Sequence, residues 1–156
     1  MIYKFSILYF VAVIVANLGF TYLPMIQLTA NQALAPMSFL VGFIFVLRDY
    51  AQRELKHKVL AVMAAGVVAS YLLADPFVAV ASAAAFAISE LTDWLVYTYT
   101  KRPMKQRVLL SSAISTPIDS TVFMVMLGFF SLPGLLIMTA SKLVGAVIVW
   151  FLAGRE

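Results

Sequence analysis

The chain alternates long apolar stretches with short polar segments. Six stretches consist mainly of Leu, Val, Ala, Ile and Phe, at about 4–23, 36–54, 58–74, 77–99, 107–129 and 133–153. Because a helix rises about 1.5 Å per residue, about 20 such residues cross the hydrocarbon core of a bilayer. Proline marks several boundaries, at Pro24, Pro36, Pro76 and Pro133, where it suits a helix end or first turn. The pattern predicts an all-α integral membrane protein, a compact bundle of six transmembrane helices forming one domain over residues 1–156.

The composition supports this prediction. The chain is 63% hydrophobic and 12% charged, whereas soluble domains are about 45–50% apolar and about 25% charged. Such a sequence cannot cover itself with polar surface, so lipid has to be its solvent. The chain has no cysteine, which excludes disulfides, thiolate metal sites and cysteine nucleophiles. We expect a multi-pass protein of the cytoplasmic (inner) membrane with the lipid bilayer as its surroundings.

The basic residues predict the orientation. They occur before the first stretch, in the second and fourth connections or next to them, and after the sixth stretch: Lys4, Arg48, Arg53, Lys56, Lys58, Lys101, Arg102, Lys105, Arg107 and Arg155. The other connections carry none. By the positive-inside rule both termini are cytoplasmic. The net charge of +4 then reflects topology, and nucleic acid is not an expected partner.

Charged residues inside the predicted spans are the strongest functional signal. They are Arg48, Asp49, Glu90, Asp93, Asp119 and Lys142, and Asn17 adds an amide on the first span. A charge in hydrocarbon costs about 2.5–3.5 kcal/mol on insertion scales. Counted from the cytoplasmic helix ends, these groups fall in one band between the inner interface and the midplane. We expect them to face one another around a cavity and to form a polar interior layer.

Spacing places several of these groups on shared helix faces. Glu90 and Asp93 are three residues apart, and Ser111, Ser115 and Asp119 are four apart on the fifth helix. The layer has four carboxylates and two cations, which suits a ligand with several N–H donors, such as a guanine-like base, or a proton held on a carboxylate. Two structural alternatives stay open, namely a salt bridge between Lys142 and one carboxylate, and interfacial roles for Arg48 and Asp49.

The order of these motifs resembles the vitamin-uptake-type transporter family associated with queuosine precursors. The matching segments are Asn17, the run Pro36–Leu40, Phe45–Glu54, Ser89–Tyr97, Ser111–Phe123 with Ser115, Asp119 and Ser120, and Lys142 on the last helix. The chain departs from the pattern at Arg53, where many members carry an acidic residue with a glycine soon after.

The resemblance implies import of a 7-deazaguanine, most typically 7-cyano-7-deazaguanine, for making queuosine. It also implies a substrate site lined by Asn17, Asp49, Glu90, Asp93, Ser115, Asp119 and Lys142. No cofactor, metal site or catalytic residue is expected. The outer connections are very short, so a closing lid is not expected.

Other functions stay open at this point. One alternative is a substrate-binding component of a multi-subunit uptake system with a partner ATPase module, for which Ala12 and Ala16 offer a small-residue docking spacing. An enzyme is not expected, because the chain lacks HExxH, GxSxG and paired-histidine patterns. The sequence leaves open whether protons or sodium drive transport and whether the protein forms a homo-oligomer.

Overall fold

Helices dominate the computed structural model, which describes residues 3–29, 32–100 and 102–153, with the backbone alone at some positions, Glu90 and Asp93 among them. The helices are α1 (Lys4–Tyr22), α2 (Met37–Leu55), α3 (Val59–Leu73), α4 (Pro76–Tyr99), α5 (Met104–Met126) and α6 (Leu132–Ala153). Their bounds lie within three residues of the predicted stretches. The prediction of an α-helical chain is therefore confirmed.

Three helical stretches are long and apolar enough to cross a membrane: Lys4–Tyr22, Met37–Leu73 and Leu109–Met126. The second has 37 residues because one turn of 3-10 helix, Lys56–Lys58, joins α2 directly to α3. Pro76–Ser89 and Leu132–Ile148 are apolar but shorter. By length and composition, the chain is a membrane protein.

A β-hairpin forms the connection between α1 and α2. Strands β1 (Ile26–Thr29) and β2 (Gln32–Leu34) pair antiparallel, with Ile26 opposite Leu34, and β2 packs against α6. The expectation of very short outer connections does not hold here, because this connection folds as a hairpin. The alternation of apolar and polar residues from Ile26 to Thr29 has the period of a strand.

The helices alternate in direction, so that α2, α4 and α6 begin at the end of the bundle that carries the hairpin. We call this the hairpin end, and the opposite end, with Lys56–Lys58, the basic end. A hydrogen bond of 3.1 Å from the Asp75 amide to Thr21 Oγ1 joins the end of α1 to the start of α4. The most extensive contacts are between α4 and α5, α2 and α6, and α1 and α2.

Local chemistry defines two helix ends at the hairpin end of the bundle. Asp75 caps α4 by accepting hydrogen bonds from the amides of Phe77 and Val78, at 2.9 and 3.0 Å. Helix α5 ends in a Schellman motif, in which the amides of Gly128 and Phe129 donate to Val125 and Met124. Gly128 has a φ of 76°, a conformation that favours glycine. This motif ends α5 three residues earlier than predicted.

Candidate functional site

Asp119 on α5 and Lys142 on α6 form a buried ion pair. The Lys142 Nζ atom lies 2.6 Å from Asp119 Oδ2, and the two residues are 1% and 4% exposed. Burying either charge alone would cost several kcal/mol, so the two groups depend on each other. The structure thus brings two of the predicted site residues together across a helix interface, in the arrangement that the salt-bridge alternative described.

A close crossing of α2 and α6 positions Lys142. A Cβ atom at Gly42 would overlap the carbonyl oxygen of Lys142, and a Cβ at Gly145 would overlap the carbonyl oxygen of Phe39. Only residues without a side chain allow two backbones to approach so closely. The crossing sets how far α6 stands from α2 and therefore where the lysine side chain begins. A lone glycine inside a helical pattern, such as Gly42, is a packing signal from which this crossing could have been predicted.

A small cavity adjoins the ion pair. Its lining comes from five helices and consists of Phe20, Val41, Ser82, Ala85, Phe86, Asp119, Phe123 and Lys142. Its volume is about 10 Å³, close to the minimum that one water molecule needs. Typical small-molecule sites enclose about 300–1,000 Å³. In this conformation the cavity accepts nothing larger than water, although it carries an anion, a cation and a hydroxyl on its walls.

The cavity lies in the half of the bundle nearer the hairpin. Phe20 is two residues from the end of α1, and Val41 is four residues from the start of α2. Asp119 lies seven residues before the end of α5, which corresponds to about 10 Å at the helical rise. The ion pair is therefore closer to the hairpin end of the bundle than the count of residues along the predicted spans indicated.

Asn17 presents an unsatisfied acceptor inside the bundle. The residue is 2% exposed, and its Nδ2 donates to the carbonyl oxygen of Val13 at 3.0 Å. Its Oδ1 has no hydrogen-bond partner among the described residues. Asn17 lies three residues before Phe20, so it shares the side of α1 that reaches the cavity lining. A buried oxygen without a donor costs about 1–3 kcal/mol, which marks it as a place where a ligand N–H group could bind.

Arg48 and Asp49 form a second buried ion pair, within α2. Arg48 Nη2 lies 2.6 Å from Asp49 Oδ1, and the side chains are 2% and 6% exposed. Gly42 contacts the backbone of Lys142. Asp49 lies seven residues after Gly42 on the same helix, which corresponds to about 10 Å. The two ion pairs therefore lie at different levels, and the single layer expected from the sequence is divided. Counting from helix ends missed this because it ignores how the helices are offset against one another.

Glu90 and Asp93 belong to α4, and their side chains lie outside the part of the chain that the structure describes. Their backbone level can still be stated. The rings of Phe45 on α2 and Phe86 on α4 are 6.0 Å apart, and the two helices run in the same direction. Asp49 lies four residues after Phe45, and Glu90 lies four residues after Phe86. The backbone of Glu90 is therefore level with that of Asp49.

Two rows of hydroxyl groups run along the buried side of α5. In the first row, Ser115 Oγ donates to the carbonyl oxygen of Ser111 at 2.7 Å, and Asp119 follows. The hydroxyl proton of Ser115 thus serves its own helix, and only its lone pairs are available to a substrate. The second row is Ser112, Thr116 and Ser120, with exposed fractions of 3%, 0% and 0%. These three hydroxyls have no partner among the described residues.

Glu54 anchors the start of α1. Its carboxylate accepts hydrogen bonds from the amides of Phe5 and Ser6, at 3.2 and 2.9 Å, and from Ser6 Oγ at 2.6 Å. The first amides of a helix have no partner within the helix, so Glu54 acts as an N-cap supplied by another helix. Neither sequence spacing nor the family resemblance indicated this contact, because the partners are almost 50 residues apart.

Comparisons with family models, with curated proteins and with solved structures found no match to this chain. A functional conclusion therefore rests on the geometry of the site and on the motif resemblance described above.

Proposed function

We propose that the protein is a membrane transporter that imports a queuosine precursor, 7-cyano-7-deazaguanine or a related 7-deazapurine. In this proposal all six helices span the cytoplasmic membrane, with both termini in the cytoplasm, and the hairpin faces outward. The basic residues of the second and fourth connections support this orientation.

The observation that carries the proposal is the buried Asp119–Lys142 pair beside a cavity lined by five helices. A carboxylate can accept two parallel N–H bonds, which a guanine-like base offers through a ring N–H and an exocyclic amine. An ammonium donates to the carbonyl oxygen of the same base. The Oδ1 of Asn17, which has no partner in the described part of the chain, adds one further acceptor. Bound in this way, the base takes over the hydrogen bonds that the two residues now make to each other.

Substrate binding requires the helices to separate around the cavity. A space of about 10 Å³ cannot contain a purine-sized molecule. We therefore expect the Asp119–Lys142 contact to break when the base binds, and the α5–α6 interface to open. A transporter needs such alternation, since its site has to be closed to one side of the membrane before it opens to the other.

The turn between α2 and α3 contains a residue with an uncommon backbone conformation, at a place where the chain departs from the family pattern. Lys56 has a φ of 53°, a region that favours glycine. Many members of the family carry a glycine soon after the second-helix aspartate. The backbone conformation at this turn is therefore one that a glycine would adopt without strain.

Binding to the purified full chain tests the proposal. Calorimetry with 7-cyano-7-deazaguanine, guanine and riboflavin should show selective binding of the deazaguanine. Asp119→Asn should weaken it at least tenfold, whereas the matched control Asp75→Asn, at an exposed cap, should leave it unchanged. If none of the three compounds binds, or if Asp119→Asn binds the deazaguanine as well as the parent, the site assignment is wrong.

A substrate-binding component of a multi-subunit system is the second candidate. Its sequence feature, the Ala12 and Ala16 spacing, does not lie on the surface: the two residues are 7% and 2% exposed and pack in the core with α2. They therefore offer no docking surface to a partner, which favours the stand-alone transporter. Uptake into vesicles that contain this chain alone distinguishes the two candidates, because a substrate-binding component needs its ATPase module.

A further inference from the structure

The unpartnered hydroxyls of Ser112, Thr116 and Ser120 are the largest unsatisfied polar feature among the described residues. Each is at least 97% buried. An unsatisfied buried hydroxyl costs about 1–3 kcal/mol. Serine and threonine in membrane helices usually avoid this cost by donating to the carbonyl four residues earlier. Thr121 does so on the same helix, at 2.7 Å from the carbonyl oxygen of Pro117, but the three hydroxyls do not.

The spacing of the row fits bridging water. Four residues correspond to a rise of about 6 Å, and two O–H···O hydrogen bonds in sequence cover about 5.5 Å. One water molecule between each pair of hydroxyls would therefore connect the three into a file about 12 Å long. A hard cation lies about 2.3–2.6 Å from each oxygen ligand, as Ca²⁺ does, and would need the hydroxyls about 1 Å closer together.

The row also connects the two levels of charge. At one end it passes Asp119, which lies three residues after Thr116 on the adjoining side of α5. At the other end Ser112 lies towards the basic end, since α4 and α5 are antiparallel and Ala85 packs in one cluster with Met124. By this register Ser112 is level with the backbone of Tyr97, and Thr116 is level with that of Asp93.

We propose that Ser112, Thr116 and Ser120 line a file of water molecules that carries protons between Asp119 and the basic end of the bundle. Each oxygen accepts a proton on one side and releases another on the other side, so one proton enters and one leaves. A proton delivered to Asp119 cancels the charge that binds Lys142 and allows the pair to open. This last step rests on the proposed transport function, whereas the hydration of the row does not.

The three helices that pack against α5 carry charged residues. They are Lys142 on α6, Arg48 and Asp49 on α2, and Glu90 and Asp93 on α4, of which the last two have side chains outside the described part. Lys142 is the group in direct contact with Asp119, so it is the group that responds first when the carboxylate is protonated.

Thiol exchange tests the hydration of the row without any substrate. The chain contains no cysteine, so a single introduced thiol gives an isolated S–H infrared band. Ser112→Cys, Thr116→Cys and Ser120→Cys, each in the full chain in lipid vesicles, should exchange with D₂O at least ten times faster than Met124→Cys. Met124 is the matched control because it lies one turn beyond Ser120 and is 3% exposed among apolar side chains.

Exchange as slow as in Met124→Cys at all three positions would overturn the proposal. Exchange that sodium chloride slows and choline chloride does not would also overturn it, since a cation would then occupy the hydroxyls.

Proton movement is measured in vesicles loaded with a pH-sensitive dye. Addition of 7-cyano-7-deazaguanine should acidify the lumen of the vesicles as the base is transported inward. Thr116→Val keeps the shape of the side chain but removes its hydroxyl, and it should reduce this acidification at least tenfold. Met124→Leu should retain it. Uptake of the base by Thr116→Val with an unchanged proton signal would overturn the relay. If the parent moves no base but the thiols exchange fast, the water file stands and the transport function fails.

Discussion

The two buried ion pairs have similar geometry and different consequences. Both have an N···O distance of 2.6 Å and little exposure. Arg48 and Asp49 are adjacent on one helix, so the bond between them does not require two helices to be in contact. Asp119 and Lys142 are 23 residues apart on two helices, so their bond exists only while α5 and α6 are held together. The second pair can therefore change with the conformation of the bundle, and it is the one that lines the cavity.

Breaking the inter-helix pair should have the largest effect. Lys142→Met leaves the Asp119 carboxylate buried without a partner, and we expect a loss of about 3–5 kcal/mol in the free energy of unfolding. The double variant Asp119→Leu/Lys142→Met removes both charges and should recover stability to within about 1 kcal/mol of the parent, because apolar replacements of buried pairs are often neutral. Denaturant unfolding in mixed micelles measures both.

Binding of the deazaguanine to the same variants distinguishes a structural role of the ion pair from a role in the substrate site. The double variant should be stable but unable to bind the deazaguanine. If it binds as tightly as the parent, the pair is a structural contact alone. If Lys142→Met is as stable as the parent, Asp119 does not carry a buried charge in the absence of the lysine.

Displacing Lys142 without removing it should have an intermediate effect on the free energy of unfolding. Gly42→Ala forces α6 away from α2, because the new methyl group overlaps the Lys142 carbonyl, and should cost about 1–3 kcal/mol. Gly66→Ala is the matched control, since its Cβ would lie 3.3 Å from Val13 Cγ1 on a movable side chain. Equal losses of stability and of deazaguanine binding in both variants would show that the α2–α6 crossing does not position the lysine.

Loosening the basic end should have the smallest effect. Glu54→Ala removes three hydrogen bonds from the start of α1, and loss of a cap costs about 0.5–2 kcal/mol. Hydrogen exchange of the Phe5 and Ser6 amides should accelerate, while the amides around Asp119 keep the rate of the parent. Acceleration at Asp119 as well would mean that the two ends of the bundle are not independent.

The helices were predictable because their signal is local. Apolar runs of about 20 residues and the prolines at their ends located six helices to within three residues. The hairpin was missed, although the alternation from Ile26 to Thr29 was available, since the connection was judged by its length alone. The spacing of Ala12 and Ala16 left a docking surface open as an alternative, and only burial could show that both residues face the core.

The sequence by itself determined that this is a membrane protein with charges placed inside it, because hydropathy and residue type act at every position independently. The tertiary structure decided which charges meet: Asp119 with Lys142, Arg48 with Asp49, and Glu54 with the start of α1. It also decided that three hydroxyls of α5 are buried without partners among the described residues. These outcomes depend on the offset and distance between helices, which close contacts such as the one at Gly42 set, and no local pattern in the chain encodes that offset.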